Sequence, residues 1–176
     1  MKITFVAVSS LDGKTTMWNN PLVDEWTSKE DTKHFTKLLQ TSSLILMGRK
    51  TYQHAKKQMT HRTGRLRLVF TKTPHKFRKE HIKDQLEFTN ESPNEALKRL
   101  KKYGYKQALF VGGATLAAEF LQQNLLHEIF VTIEPKLFGI GKSLIGEEKL
   151  NVNLKLLNVE KLNSKGTLLL KYKVIK

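Results

Sequence analysis

The residues able to do chemistry gather at glycine-bearing turns. Val111-Gly112-Gly113-Ala114-Thr115-Leu116 joins an apolar run to a helical one. Two glycines there let a ligand phosphate approach backbone N–H groups at the positive end of a helix. A tight strand-to-helix turn explains them equally well. The spacing is not G-x-G-x-x-G, so the ordinary dinucleotide fingerprint is absent. Met47-Gly48-Arg49-Lys50-Thr51 has the same layout, with two cations at the helix start. Cations are disfavoured at that end unless an anion sits there, although a solvated basic pair is the alternative. Asp31 follows Ser28 by three residues and Trp26 by five. That spacing suits a capping box. It also suits a carboxylate aimed into a cleft, where it could hold an amidine-like edge by paired hydrogen bonds. Gly64-Arg65-Leu66-Arg67 leads into an apolar strand that ends at Thr71-Lys72, the most basic neighbourhood of the chain. A solvated strand start is the alternative to an anion site there.

Other chemistries are excluded by what is missing. There is no cysteine, hence no disulfide, thiolate site or Cys nucleophile. The histidines at 34, 54, 61, 75, 81 and 127 show no zinc-ligand spacing, so no metal site is expected. No G-x-S-x-G or Walker A pattern occurs.

The elements that must position these residues alternate between strand and helix. Strands are expected at Ile3–Ser9, Ser43–Met47, Leu66–Thr71, Glu87–Thr89, Gln107–Val111, Glu128–Ile133, Leu154–Lys161 and Thr167–Val174. Helices are expected at Ser28–Gln40, from Gly48 to about Lys57, at Ser92–Lys102 and from Gly112-Gly113 to Gln122. Residues 10–27, with Asp12-Gly13 and Asn19-Asn20-Pro21, read as a long functional loop. The last two strands look like a hairpin turning around Asn163–Gly166. Short apolar strands between helices imply a mainly parallel sheet covered on both faces. Ligands bind such sheets at the carboxyl ends of the strands, where the turns at Gly13, Gly48 and Gly112-Gly113 should converge.

The chain of 176 residues suits one domain, 1–176. No apolar run is long enough to span a bilayer, and the N-terminal strand is too short for a signal core, so a cytoplasmic location is expected. Lys and Arg number 31 against 16 acids, a formal charge of +15. Residues 61–110 hold 13 basic and 5 acidic residues, so the excess is concentrated there. Such charge fits nucleic acid, anionic small substrates or a solvated surface. No nucleic-acid-binding motif supports the first.

Together these motifs resemble the dihydrofolate reductase superfamily, which includes the reductase domain of riboflavin biosynthesis. The resemblance covers nearly the whole chain. Met47-Gly48-Arg49-Lys50-Thr51-Tyr52 is close to M-G-R-x-T-[WY], and Trp26, Asp31 and Phe35 are similar to the folate enzymes' W-x₄-D-x₃-F. The resemblance implies a central mixed, mainly parallel sheet of about eight strands, helices on both faces and a C-terminal antiparallel hairpin. It implies Asp31 as the catalytic carboxylate, Trp26 ordering a water beside it and Thr132 hydrogen-bonding it. Val6, Ala7, Val8, Phe35 and Arg65 would bind substrate, Arg65 by gripping a carboxylate. Ala7, Gly13, Gly48, Arg49, Lys50, Thr51, Thr71, Lys72, Val111, Gly112, Gly113, Ala114, Thr115 and Leu116 would bind NADPH. The loop at 10–25 would close over the site.

The pattern is a mosaic. Ser9-Ser10-Leu11-Asp12-Gly13-Lys14 and Ile133-Glu134-Pro135-Lys136-Leu137-Phe138-Gly139-Ile140-Gly141 look like the riboflavin reductases. Their R-A-x-x-D-A and D-x-P signatures are absent, which favours a pterin. The expected activity is therefore NADPH-dependent reduction of 7,8-dihydrofolate to tetrahydrofolate. The alternative is a riboflavin-pathway reductase acting on a ribosylaminopyrimidine phosphate. A non-catalytic basic protein binding nucleic acid is the lesser alternative. The expected partner is a small molecule, with neither metal nor membrane, and the chain could be a monomer or a homodimer.

Overall fold

The computed structural model describes residues 1–175. Eight strands form one sheet: β1 (Lys2–Ser10), β2 (Leu44–Gly48), β3 (Leu66–Phe70), β4 (Leu86–Thr89), β5 (Gln107–Phe110), β6 (Glu128–Glu134), β7 (Asn153–Lys161) and β8 (Leu168–Ile175). Their spatial order is β4-β3-β2-β5-β1-β6-β8-β7. The strands from β4 to β6 run parallel, while β8 pairs antiparallel with both β6 and β7. Helices α1 (Lys29–Thr41), α2 (Arg49–Ala55), α3 (Pro93–Lys102) and α4 (Ala114–Gln122) cover it. The expected mainly parallel sheet and terminal hairpin are both present.

The central strands are apolar at consecutive positions because each faces two layers. Phe5, Leu46, Leu68 and Phe110 pack with Ala96 and Leu100 of α3 and Ala117 and Phe120 of α4. Their chain neighbours Val6, Ile45, Met47, Val69 and Leu109 point the other way, onto Tyr52 of α2 and Phe35, Leu38 and Leu39 of α1. Phe110 stacks on Phe120 with centroids 4.7 Å apart and touches Phe5 at 5.1 Å. Truncating Phe110 to alanine would cost about 3–5 kcal/mol, from lost burial and the cavity left behind.

Boundaries differ from expectation by one or two residues, and three 3₁₀ helices appear, the shorter two at Val23–Glu25 and Lys56–Gln58. Pro74–Glu80 forms a 3₁₀ helix begun by Pro74. Its tighter turn leaves no 3.6-residue apolar stripe to read. The 10–25 loop is not free-standing. Leu11 and Thr15 donate to the carbonyls of Lys136 and Lys142, and Leu144 donates to that of Gly13. Asp12 accepts from the amides of Phe138 (3.1 Å) and Gly139 (2.8 Å) and from Ser10 Oγ (2.6 Å). Those hydrogen bonds hold its carboxyl down at about 2, the Ser10 bond contributing most. Loop 10–25 and the 136–144 strap therefore form one body.

Candidate active site

A cavity of about 2220 Å³ runs along the carboxyl edge of the parallel strands. Pockets for one small ligand hold roughly 300–1,000 Å³, so this one has room for two ligands end to end. One end is built from glycine turns and the other from α1 and the start of β3.

At the glycine end, the turns after β2 and β5 abut. Gly48 N donates to the Gly112 carbonyl at 2.8 Å, and an added Cβ on Gly113 would meet Thr51 Oγ1 at 3.3 Å. Gly112 has φ +98°, a backbone region that favours glycine. Gly113 is the N-cap of α4 and supplies no side-chain cap. The N-cap residue thus offers no side chain to the positive end of that helix, which suits a ligand anion. Arg49, Lys50 and Lys72 lie on the same wall, as do Thr71 and Thr115. Arg49 Nη1 meets Gln53 Oε1 at 2.8 Å, and Thr71 Oγ1 accepts from the Thr73 amide at 3.2 Å. The donor set fits a nucleotide phosphate chain.

At the other end, Asp31 is 7% exposed. The hydrogen bonds around it bear on its capping reading. Ser28 Oγ accepts from the Asp31 amide at 3.2 Å, so Ser28 is the cap. In a capping box the residue at Asp31's position would reach back to the Ser28 amide. Here Glu134 takes that amide instead, at 2.7 Å. Glu134, 2% exposed, also accepts from Thr167 Oγ1 at 2.7 Å. The Asp31 carboxyl is left for the cavity wall. Burial raises its pKa, a hydrogen bond from Thr132 pulls it back, and the charges of Glu134 and Asp24 raise it again, to about 6. A carboxyl poised there can donate a proton near neutral pH.

Val6, Ala7, Val8, Phe35 and Arg65 line the cavity with Asp31. So do Gly48, Arg49, Lys50, Thr51, Thr71, Lys72 and the whole run Val111–Leu116. Gly13, Trp26 and Thr132 stand outside the wall. Gly13 turns the loop with φ +76°. Trp26 is buried edge-on against Phe138, centroids 5.1 Å apart, and its Nε1 has no protein partner among the described residues. Thr132 is buried behind Asp31. Glu134, Arg67 and the 141–147 segment were not expected in or behind the wall. Only the buried register of Glu134 on β6, which breaks an apolar strand with a charge, could have flagged it.

The comparisons agree with this geometry. The RibD C-terminal domain family matches residues 1–168. The chain belongs to that family. It is thereby a member of the dihydrofolate-reductase-like superfamily. Two curated relatives from Bacillus subtilis (strain 168) are uncharacterized proteins. YwjB is 28% identical over 94% of this chain and 89% of its own length. YyaP is 30% identical over 80% and 79%. Among solved structures, a putative riboflavin biosynthesis protein from Shewanella sp. PV-4 aligns over the full length of both chains, with TM-score 0.81 and 18% identity. RibD of Acinetobacter baumannii aligns with TM-score 0.77 and 19% identity over 99% of this chain and 58% of its own. These likenesses establish the fold. The family assignment fits the riboflavin-pathway alternative better than the expected folate reduction. The pterin-like spacing is a local pattern from Trp26 to Phe35, whereas the family match runs over residues 1–168.

Proposed function

We propose that this chain is an NADPH-dependent reductase of a small anionic pyrimidine, of the riboflavin-pathway kind. The observation that carries it is the single cavity joining an uncapped α4 N-terminus to a buried carboxyl freed from its capping role. The nicotinamide cofactor supplies a hydride when bound. Gly112, Gly113 and Thr115 would hold its pyrophosphate, and Arg49 with Lys72 its outer phosphate. Asp31 would bind the amino-pyrimidine edge of the substrate and hold a proton at its carboxyl for the exocyclic nitrogen, as hydride adds to C1′ of the ring-opened ribosylamine. Phe35 and Val6 would pack on that ring and orient it. The joined body of loop 10–25 and the strap would exclude water. The basic rim would steer both polyanionic ligands inward.

The test follows NADPH absorbance with 5-amino-6-(5-phosphoribosylamino)uracil and, separately, with 7,8-dihydrofolate. Oxidation with the phosphoribosyl compound is the expected result. Oxidation with dihydrofolate alone would reverse the choice of substrate in favour of the second reading, which the Asp31, Thr132 and Phe35 arrangement supports. Absence of both turnover and NADPH binding would refute the reductase. Polynucleotide binding with a steep salt dependence would then favour a binding protein.

A further inference from the structure

The turn of the terminal hairpin reaches the Asp31 end of the cavity from behind. β6 grips the start of α1 at two points. Thr132 and Glu134 occupy alternate positions of that strand, so both side chains stand on the α1 face. Thr132 hydrogen-bonds the Asp31 carboxyl, while Glu134 Oε1 accepts from the Ser28 amide at the head of the same helix. The second oxygen of Glu134 is met from the hairpin. Ile133 pairs in register with Leu168, which brings Thr167 alongside Glu134. Thr167 Oγ1 donates to Glu134 Oε2 at 2.7 Å, and both residues are buried.

Asn163 fixes the direction of that bond. A threonine hydroxyl has one proton to donate and can also accept. Asn163 Nδ2 donates to Thr167 Oγ1 at 2.9 Å, and Asn163 Oδ1 accepts from the Thr167 amide at 3.2 Å. With its oxygen accepting from Asn163, the hydroxyl turns its proton to Glu134. The same Nδ2 donates to Glu30 Oε2 at 3.1 Å, in the first turn of α1. The hairpin turn thus touches α1 directly through Glu30 and indirectly through Thr167 and Glu134. A buried carboxylate is costly unless its oxygens are matched. Glu134 does not itself line the cavity, so its use lies in what it holds, the amide at the head of the helix that carries Asp31.

We infer that Thr167 and Asn163 are positioning residues, which act through Glu134 to hold the first turn of α1, and with it the Asp31 carboxyl, in place against Thr132. The inference deepens the proposed function and rests on it for what the carboxyl then does; the placement of α1 is independent of it. The charges facing Asp31 are those of Glu134 on β6 and Asp24 in the loop. Neither Thr167 nor Asn163 carries a charge, so removing their polar groups alters the placement of Asp31 and leaves the number of charges around it unchanged.

Amide hydrogen exchange reads the placement, and steady-state kinetics with NADPH and 5-amino-6-(5-phosphoribosylamino)uracil read its effect. Thr167→Val removes the hydroxyl at nearly constant shape. Exchange at the amides of Ser28, Asp31 and Thr32 should quicken at least tenfold, while that of α3 stays as in the wild type. kcat should fall at least tenfold, and the KM for NADPH, held at the other end of the cavity, should not move. Thr167→Ser keeps the donor and loses the methyl group, so it should return both readings to near the wild type. A hydroxyl that served packing alone would not be rescued in this way. Asn163→Ala should shift both readings in the same direction and covers the case in which Thr167→Val fails to fold. Unchanged exchange at the head of α1 would overturn the inference, as would a Ser variant no better than the Val one. Quickened exchange in a chain that oxidises no NADPH would leave the positioning role standing and remove the reductase.

Discussion

Replacing Asp31 by asparagine should make the protein more stable and inactive, with a gain that grows with pH. The folded-state pKa of about 6 lies above the ordinary carboxyl value of 3.8. Burial therefore disfavours the charged form in the folded state. The penalty is absent below the unfolded value, where both states are protonated. It grows as pH rises and is complete above the folded value. The difference between those pKa values corresponds to about 3 kcal/mol at pH 7.5 and about 1 kcal/mol at pH 4.5. An amide keeps the size of the side chain and cannot ionise, so it escapes the penalty. The stability of Asp31→Asn relative to wild type should accordingly rise by about 2 kcal/mol between those pH values. Urea denaturation of both proteins at each pH, with m values compared, reads the difference directly. A gain that is absent, or identical at the two pH values, would show that the carboxyl is not desolvated. Turnover by the variant at neutral pH would separately refute its proton-holding role.

Further outcomes concern the surroundings of that carboxyl. Glu134→Gln removes a negative charge facing Asp31 and weakens the bond to the Ser28 amide. The alkaline limb of the activity profile should move to lower pH, with a stability loss of about 1–3 kcal/mol; an unmoved limb would make Glu134 purely structural. Gly141→Ala would drive a Cβ into the Thr16 carbonyl oxygen and to 3.1 Å from Lys14 Cβ. Unseating the strap should lower stability by about 1–3 kcal/mol and weaken NADPH binding, and an unchanged Tm would contradict the close packing. Arg49→Ser combined with Lys72→Ser should weaken NADPH at least tenfold and NADH little, as measured by fluorescence titration. Equal losses for both cofactors would place the outer phosphate elsewhere.

The fold was legible because its signals are local. The central strands are short apolar runs, β2 and β5 lead into Gly48 and Gly112, and helices α1 and α3 announce their starts with Ser28 and Ser92. What could not be read depends on long-range register. Whether Asp31 closed a capping box with Ser28 turned on Glu134, more than 100 residues away, reaching the Ser28 amide. The pinned loop depended on amides of Phe138 and Gly139 finding Asp12. Sequence spacing carries none of these, because the partners meet only when β1 and β6 lie side by side.

That side-by-side placement has a consequence for how the chain comes off the ribosome. β1 is made first and sits between β5 and β6, with Lys2 in register with Gln107 and Thr4 with Glu128. Until residue 107 has been synthesised, the apolar ribbon Ile3–Val8 has no neighbour on either side. Non-local pairing of this kind is slow, and an unpaired apolar edge is open to the wrong partner meanwhile. β2, β3 and β4 emerge in order and can pair with one another as they appear. The nascent protein therefore assembles outward from its middle, and the strand that supplies Val6, Ala7 and Val8 to the cavity is threaded into place late. A chaperone that shields β1 during synthesis would act on the element this topology leaves waiting longest.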